Sequence, residues 1–410
     1  MTRRHRAVPI VLTVLLLDAI GFGIVLPVLP SLVVHLAHVP MAEATRIAGY
    51  MLVAYALMQF LAGPIMGNLG DRFGRRPVLL LCALAFTIDY ALMAAAPTIG
   101  WLFLGRLVAG IAGATYGPAN AVLADVTKPE ERAKVFGLMG AAFGGGFILG
   151  PALGGLLAGF GTRAPFIAAA ALTGLNFLWI LTSLPETLKT EDRRRFDWRR
   201  ANAFGTFAPL LHQSRAVLLI LASLLWQVAH QVYPSTWAFW ASLKFDWTPA
   251  QIGWSLAAAG LSMAIAQALI TGRAVARFGE ERAIVIGMLV GGTSFALYAF
   301  VPIGWMVYPI IFFSALQGLV YPSTNALLSQ MTDASNQGAL QGGMASVSSV
   351  GAIVGPLLMT QTLAAGAEQG FAGAAFLAAA TLVALGLSVI VFGVIRRPAG
   401  QAEVDAAGAE

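Results

Sequence analysis

A single cysteine, Cys82, among 410 residues excludes a disulfide framework and a thiolate-ligated metal site. Charge is also scarce: Asp, Glu, Lys and Arg make up 11% of the chain, against about 25% in ordinary soluble domains. There is no G-x4-G-K-[ST] phosphate loop, no H-E-x-x-H helix and no serine elbow, so nothing points to ATP, zinc or hydrolytic chemistry. No enzyme activity, cofactor or metal is expected. Polar tracts are missing too, apart from residues 185–214. What remains is oily: 58% hydrophobic residues and a mean hydropathy of +0.77. A water-soluble fold and a disordered chain are excluded, and a β-barrel would alternate polar with apolar residues.

A membrane-crossing helix needs about 20 apolar residues. Apolar runs lie near 9–36, 46–68, 77–96, 99–124, 134–160, 164–184, 215–243, 249–271, 282–302, 304–330, 338–366 and 370–395. The expected fold is an all-α membrane protein with twelve transmembrane helices. An even number of spans puts both termini on one side. Of the 25 Lys and Arg residues, only Arg46, Arg163 and Lys244 fall on the opposite side, and Arg106 falls inside a span. This bias places both termini in the cytoplasm. It also accounts for the net charge of +6 without nucleic acid. Arg3, Arg4 and Arg6 before an apolar run resemble a signal peptide, but the run is long and holds Asp18, Pro27 and Pro30, so it is expected to stay as the first helix.

Shifting the sequence by about half its length superposes Tyr116 on Tyr321, Asn120 on Asn325, Thr127 on Thr332, Gly67 on Gly272, Arg72 on Arg277, Phe73 on Phe278, Gly74 on Gly279 and Gly150-Pro151 on Gly355-Pro356. One constant offset through several loops and helices implies two pseudo-symmetric six-helix bundles around a shared cavity. The expected organisation is an N-terminal bundle 1–184, a cytoplasmic linker 185–214, a C-terminal bundle 215–398 and a tail 399–410.

Charges at membrane depth cost several kcal/mol, so they are functional candidates. They are Asp18, Asp89 and Arg106. Spans 3 and 4 form a hairpin turning near Pro97, and equal steps back from that turn put Asp89 and Arg106 at similar depth. One arginine cannot satisfy two acids equally, so the acid less well paired is free to bind and release a proton. The alternative is a static ion pair that fixes packing. Residues that suit a chamber for an amphipathic ligand are Gln59, Tyr116, Asn120, Gln227, His230, Gln231, Tyr233, Trp237, Gln267, Gln317, Tyr321 and Asn325. Trp101, Trp240, Trp247 and Trp305 lie near span ends and read as an interfacial belt.

The run Gly67-Asn-Leu-Gly-Asp71-Arg72-Phe-Gly-Arg75-Arg76-Pro77 resembles the signature loop of the major facilitator superfamily. The resemblance implies that Asp71 locks the two halves on the cytoplasmic side near the start of span 11. It also implies a charge relay through Arg75 to Asp125, with Gly67 and Arg72 in the same gate. In the second-half copy Ala276 replaces Asp71, so the lock is expected to be one-sided. Gly140-x3-Gly144-Gly145-Gly146-x3-Gly150-Pro151 resembles the antiporter motif of drug:proton exchangers, and small residues at this spacing also let helices pack closely. Leu16-Leu17-Asp18-Ala19-Ile20-Gly21, Asp89-Tyr90, Leu104-Gly105-Arg106 and Leu184-Pro185-Glu186-Thr187 extend the likeness to exporters of the tetracycline-resistance type. That type carries an acid where this chain has Gly291 and a histidine where it has Met263. The resemblance implies a proton-coupled antiporter exporting an amphipathic drug-like molecule by alternating access. The proton is its coupling ion, the bilayer its surroundings, and a monomer its functional unit. The rivals are a proton symporter importing a small metabolite, and a membrane scaffold or receptor.

Overall fold

The computed structural model describes residues 7–196, 214–332 and 337–395. Arg3, Arg4 and Arg6, the linker residues 197–213 and the tail 399–410 lie outside them. The described residues contain no strand. Among them, twelve helices are long and apolar enough to cross a membrane: α1 (Ala7–Val25), α2 (Met41–Phe73), α3 (Arg75–Ala95), α4 (Ile99–Val126), α5 (Lys134–Phe160), α6 (Ala164–Ser183), α7 (Ala216–Phe245), α8 (Pro249–Phe278), α9 (Glu280–Phe300), α10 (Gly304–Gln330), α11 (Leu340–Glu368) and α12 (Ala374–Ile395).

Several boundaries differ from the sequence expectation for identifiable reasons. The first apolar run is two helices, because α1 stops at Val25 and a short helix restarts at Leu29–Ala37. Pro27 lacks the N–H that would continue the ladder, whereas Pro30 sits in a first turn, where no N–H is needed. The Gly67–Phe73 motif, expected as a loop, is the last two turns of α2, and the reversal into α3 is confined to Gly74 at φ 108°. That left-handed geometry suits glycine alone. α7 breaks at Gln231, where Pro234 withholds an N–H from the preceding turn.

The half-chain repeat is visible in local geometry. Short 3-10 segments interrupt α4 at Gly113–Thr115 and α10 at Ala315–Leu319, just before Tyr116 and Tyr321. Gly279, the counterpart of Gly74, has φ 76°. Arg72 lies 4.8 Å over the Phe73 ring, and Arg277 lies 5.8 Å over Phe278.

The chain separates into two compact units. The first holds residues up to Ala203 together with Tyr233–Leu261 and Pro356–Ala372. In it α5 is packed on two sides. Gly146, Gly150 and Gly154 lie against α1: a Cβ added at Gly150 would stand 2.6 Å from the Ile20 carbonyl oxygen and 2.7 Å from Gly23 Cα. Gly155 abuts α8, where an added Cβ would stand 2.9 Å from Ala250 Cα. Lipid offers no hydrophobic drive between helices, so this backbone-to-backbone approach supplies dispersion contact instead. Gly144 has nothing within 4 Å and takes no part in the packing. Trp240 is fully buried, its ring tilted against Trp237 at 5.2 Å, which corrects its assignment to the belt; Trp101 and Trp305 are exposed.

The three basic residues at the span ends away from Gly74 each have a local task. Arg46 makes a two-pronged pair with Glu368 at 2.5 and 2.8 Å. Arg163 donates to the carbonyls of Ala94 and Ala96 at the C-terminal end of α3. Lys244 lies 5.8 Å from the rings of Trp240 and Phe245.

The second unit holds Phe204–Val232, Ser262–Gly355 and Gly373 onward. Its core is aromatic, with Phe376 between Tyr298 at 5.3 Å and Phe295 at 6.4 Å. Among the described residues its spans carry no ionisable side chain at depth apart from His230 and tyrosines.

Candidate functional site

The membrane charges expected to matter lie together in the first unit. Asp89 on α3 and Arg106 on α4 form a buried ion pair, and Arg106 Nη2 also reaches Met93 Sδ at 3.0 Å. Asp89 is 0% and Arg106 6% exposed. The approach depends on Gly105, since an added Cβ there would lie 2.5 Å from Asp89 Oδ1. The pair is under-satisfied: Asp89 Oδ1 and Arg106 Nε are buried with no hydrogen-bond partner among the described residues. A buried pair stripped of water needs every such bond to repay its desolvation. This one is therefore poised for change.

Asp18 on α1 stands apart from that pair. Its Oδ1 accepts from Asn176 Nδ2 of α6 at 2.8 Å, and Asn176 also donates to the Val14 carbonyl at 3.3 Å. Tyr55 and Tyr90 lie within electrostatic range of Asp18, Asp89 and Arg106 alike, so the two acids belong to one cluster spanning α1, α2, α3, α4 and α6. Tyr90 also packs on α1, with a ring carbon 3.3 Å from where a Gly21 Cβ would stand. The sequence reading missed Asn176, Tyr55 and Tyr90. A lone asparagine in an otherwise apolar span was the available signal, because an amide in hydrocarbon needs a partner.

At the turn after α2, Arg75 Nη1 pairs with Asp71 Oδ1 at 2.6 Å, and Arg75 Nε reaches Asp125 Oδ2 at 3.5 Å. Arg72 is exposed, and Gly67 has no neighbour where a Cβ would be. Glu186, not singled out from sequence, ties this turn to the end of α6. Its carboxylate accepts from the N–H groups of Arg75 at 2.9 Å, Arg76 at 3.2 Å, Thr187 at 2.9 Å and Leu188 at 3.0 Å. A carboxylate at the start of α3 satisfies donors the helix leaves open. Glu186→Ala is expected to cost about 1–2 kcal/mol. The check is faster hydrogen exchange at the Arg75 and Arg76 amides, with a lower melting temperature in detergent.

The residues expected to line a chamber are divided between the units. In the first, Gln59 Nε2 donates to the Gly113 carbonyl at 2.8 Å, inside the α4 interruption. Tyr116 is exposed and meets Phe143 edge-on at 5.7 Å, and Asn120 is half-buried one turn further along α4. Tyr233 lies 6.0 Å from Trp237. Trp237 is buried and spends its indole N–H on Ser255 at 2.9 Å, which places it inside the α7–α8 packing rather than on an open wall.

In the second unit, Gln227 donates to Ser348 at 2.7 Å and Gln267 to the Gly318 carbonyl at 3.1 Å. Gln231 is half-buried against Gly355. His230 stacks on Trp226 at 4.1 Å, meets Phe295 edge-on at 5.5 Å and hydrogen-bonds Gln317. Tyr321 is exposed beside a small, mostly apolar hollow that also touches Trp226, Gln227, Thr324 and Met344; Asn325 is half-buried. Trp226, absent from the sequence reading, explains Gly291: a Cβ there would stand 2.7 Å from the indole edge. The position where exporters of the tetracycline-resistance type carry an acid is filled from α7.

The family model described as Major Facilitator Superfamily matches residues 11–244 and 221–410. The chain belongs to the Major Facilitator Superfamily. Among its superfamily relatives, the tetracycline resistance protein, class C, of Escherichia coli is 41% identical over 366 residues, spanning 89% of this chain and 92% of its own. The class G protein of Vibrio anguillarum is 38% identical over 402 residues, spanning 95% and 97%. Among solved structures, the nucleoside transporter NupG superposes with a TM-score of 0.77 at 16% identity, covering 97% of this chain and 100% of its own. The expected twelve-helix, all-α architecture is therefore the fold of this multi-pass membrane protein.

Proposed function

We propose that this chain is a proton-coupled exporter of an amphipathic, drug-like small molecule, working by alternating access. The observation that carries the reading is the buried, under-satisfied Asp89 and Arg106 pair, with half-buried Asp18 in the same unit held by Asn176, in a chain so similar to tetracycline resistance proteins. A resistance protein lowers the internal concentration of its drug, which favours export over the symporter reading. The protein performs transport rather than catalysis, acts in a bacterial inner membrane with both termini cytoplasmic, functions as a monomer, and uses the proton as its only coupling species.

The physical scheme is short. Asp18 and Asp89 are the proton-exchanging acids, and Arg106 holds Asp89 charged until a conformational change or cargo alters the pair. One charge crossing about 100 mV releases about 2.3 kcal/mol, roughly a forty-fold accumulation. Gly67, Asp71, Arg72, Arg75 and Asp125 form the cytoplasmic gate, and Arg75 is the group able to trade one acid for the other. Gly146, Gly150 and Pro151 let α5 move closely over α1, while Gly144 leaves room beside it. Gln59, Tyr116, Asn120, Gln227, His230, Gln231, Tyr233, Gln267, Gln317, Tyr321 and Asn325 contact cargo, and Trp237 acts from behind Tyr233.

The test is accumulation of tetracycline and of the amphipathic cation ethidium in everted membrane vesicles. Uptake that needs an imposed gradient and collapses with a protonophore is the expected result. Substrate leaving the vesicles on energisation would point to the importer, and no gradient-dependent movement of either probe, or of a wider drug panel, would point to the scaffold. Asp18→Asn is expected to end gradient-driven uptake of whichever probe is carried while leaving downhill exchange measurable.

A further inference from the structure

Asn176 makes a contact with Asp18 whose chemistry is unused by the scheme above. Its side chain is 0% exposed. Its Nδ2 serves both Asp18 Oδ1 and the Val14 carbonyl, while its Oδ1 is a buried acceptor with no hydrogen-bond partner among the described residues. A buried orphan acceptor is costly and calls for a reason.

The reason lies in what an amide offers. A carboxylate only accepts hydrogen bonds, whereas a protonated carboxyl also has an O–H to donate. Asn176 holds a donor and an acceptor on one planar group, and a half-turn of that group exchanges them. We propose that Asn176 is a positioning residue that serves both protonation states of Asp18. Its N–H faces the carboxylate, and its Oδ1 faces the carboxylic acid. When Asp18 takes a proton from water at one membrane face, its new O–H donates to Asn176 Oδ1. When the proton leaves to the other face, the amide turns back and Nδ2 donates again. The turn also gives up the Nδ2 bond to the Val14 carbonyl and restores it on return, and the carboxyl O–H is the only covalent bond made or broken.

The surroundings leave this task to Asn176. Tyr55 of α2, Cys82 and Tyr90 of α3 and Tyr116 of α4 are within electrostatic range of Asp18. Asp89 and Arg106 are engaged with each other. α5 presents glycine backbone there, and Thr173 of α6 bonds its own helix at Ala169. Asn176 is the side chain that hydrogen-bonds Asp18 among the described residues.

The inference rests on Asp18 carrying the coupling proton, and the experiment separates the two claims. Proteoliposomes of wild type, Asn176→Leu, Asn176→Gln and Asn176→Ser are assayed with tetracycline and ethidium across a series of pH values. Leucine matches the size of asparagine and has neither donor nor acceptor. It is expected to move the pH profile of gradient-driven transport by about one unit to the alkaline side, with about a tenfold loss at the wild-type optimum. Exchange at equal pH is expected to stay near wild type. Gln and Ser each keep a donor and an acceptor and are expected to hold the wild-type profile, which decides the matter should the leucine variant fail to reach the membrane. Equal loss of driven transport and exchange, or an unmoved profile in Asn176→Leu, overturns the role of Asn176, as does a leucine-like profile in Gln and Ser. A wild type whose gradient-driven transport of either probe has no linked proton movement overturns the reading of Asp18 instead.

Discussion

Arg106→Ala is expected to remove driven transport and to destabilise the first unit by about 3–5 kcal/mol, the usual penalty for stranding one partner of a buried pair. The expectation follows from burial. Asp89 has no exposed surface, Arg106 is its ion-pair partner, and one of its oxygens is already unpartnered. With the guanidinium gone, α3 must either carry a bare carboxylate in hydrocarbon or hold it protonated at all working pH values. Both end cycling. Asp89→Asn combined with Arg106→Leu strands no charge, so most of the stability is expected to return while proton coupling does not. Thermal unfolding in detergent, read beside tetracycline uptake in everted vesicles, separates the two effects. Full recovery of transport in the double variant would reduce the pair to a packing device.

Gly150→Ala is expected to be nearly as damaging, through geometry alone. The added methyl meets the Ile20 carbonyl and Gly23 Cα, both backbone atoms that no rotamer change can move aside. α1 and α5 must separate, and Asp18 sits on that stretch of α1. Overpacking of this kind costs about 1–3 kcal/mol. In a helix pair without hydrophobic drive, little else restores the contact. Gly144→Ala, one helical turn and a half away, points into open space and is expected to leave membrane abundance and melting temperature unchanged. The two glycines belong to one sequence motif. A loss of stability at Gly144 equal to that at Gly150 would show that motif membership, rather than contact with α1, sets the effect.

Much of this was legible in the sequence because lipid imposes simple rules. Charge in hydrocarbon is rare, so Asp18, Asp89 and Arg106 stood out, and the hairpin count placed Asp89 beside Arg106 before any coordinates. The repeat was legible because glycine at φ 108° and 76° leaves the same mark twice, at Gly74 and Gly279. Polar partners with common side chains were harder. Asn176, Tyr55 and Tyr90 look like ordinary span residues until the helices are packed, since their meaning depends on which face meets α1. Glu186 was visible only as part of a resemblance, because capping from a distant segment has no local signature. Trp240 misled for a related reason: nearness to a span end predicts a belt residue, but its ring is buried between Trp237 and Phe245. Trp226 follows the same logic one turn before His230. Its role emerged only with the bare backbone of Gly291 opposite it.

The central claim is that Asp18 and Asp89 of the first unit exchange a proton for cargo. The direct measurement is proton movement linked to tetracycline or ethidium addition in proteoliposomes under an imposed pH gradient, for wild type and the Asp18→Asn, Asp89→Asn double variant. Wild type is expected to release protons in proportion to cargo moved, and the double variant to exchange cargo with no linked proton signal. A proton signal of wild-type size in the double variant would contradict the account.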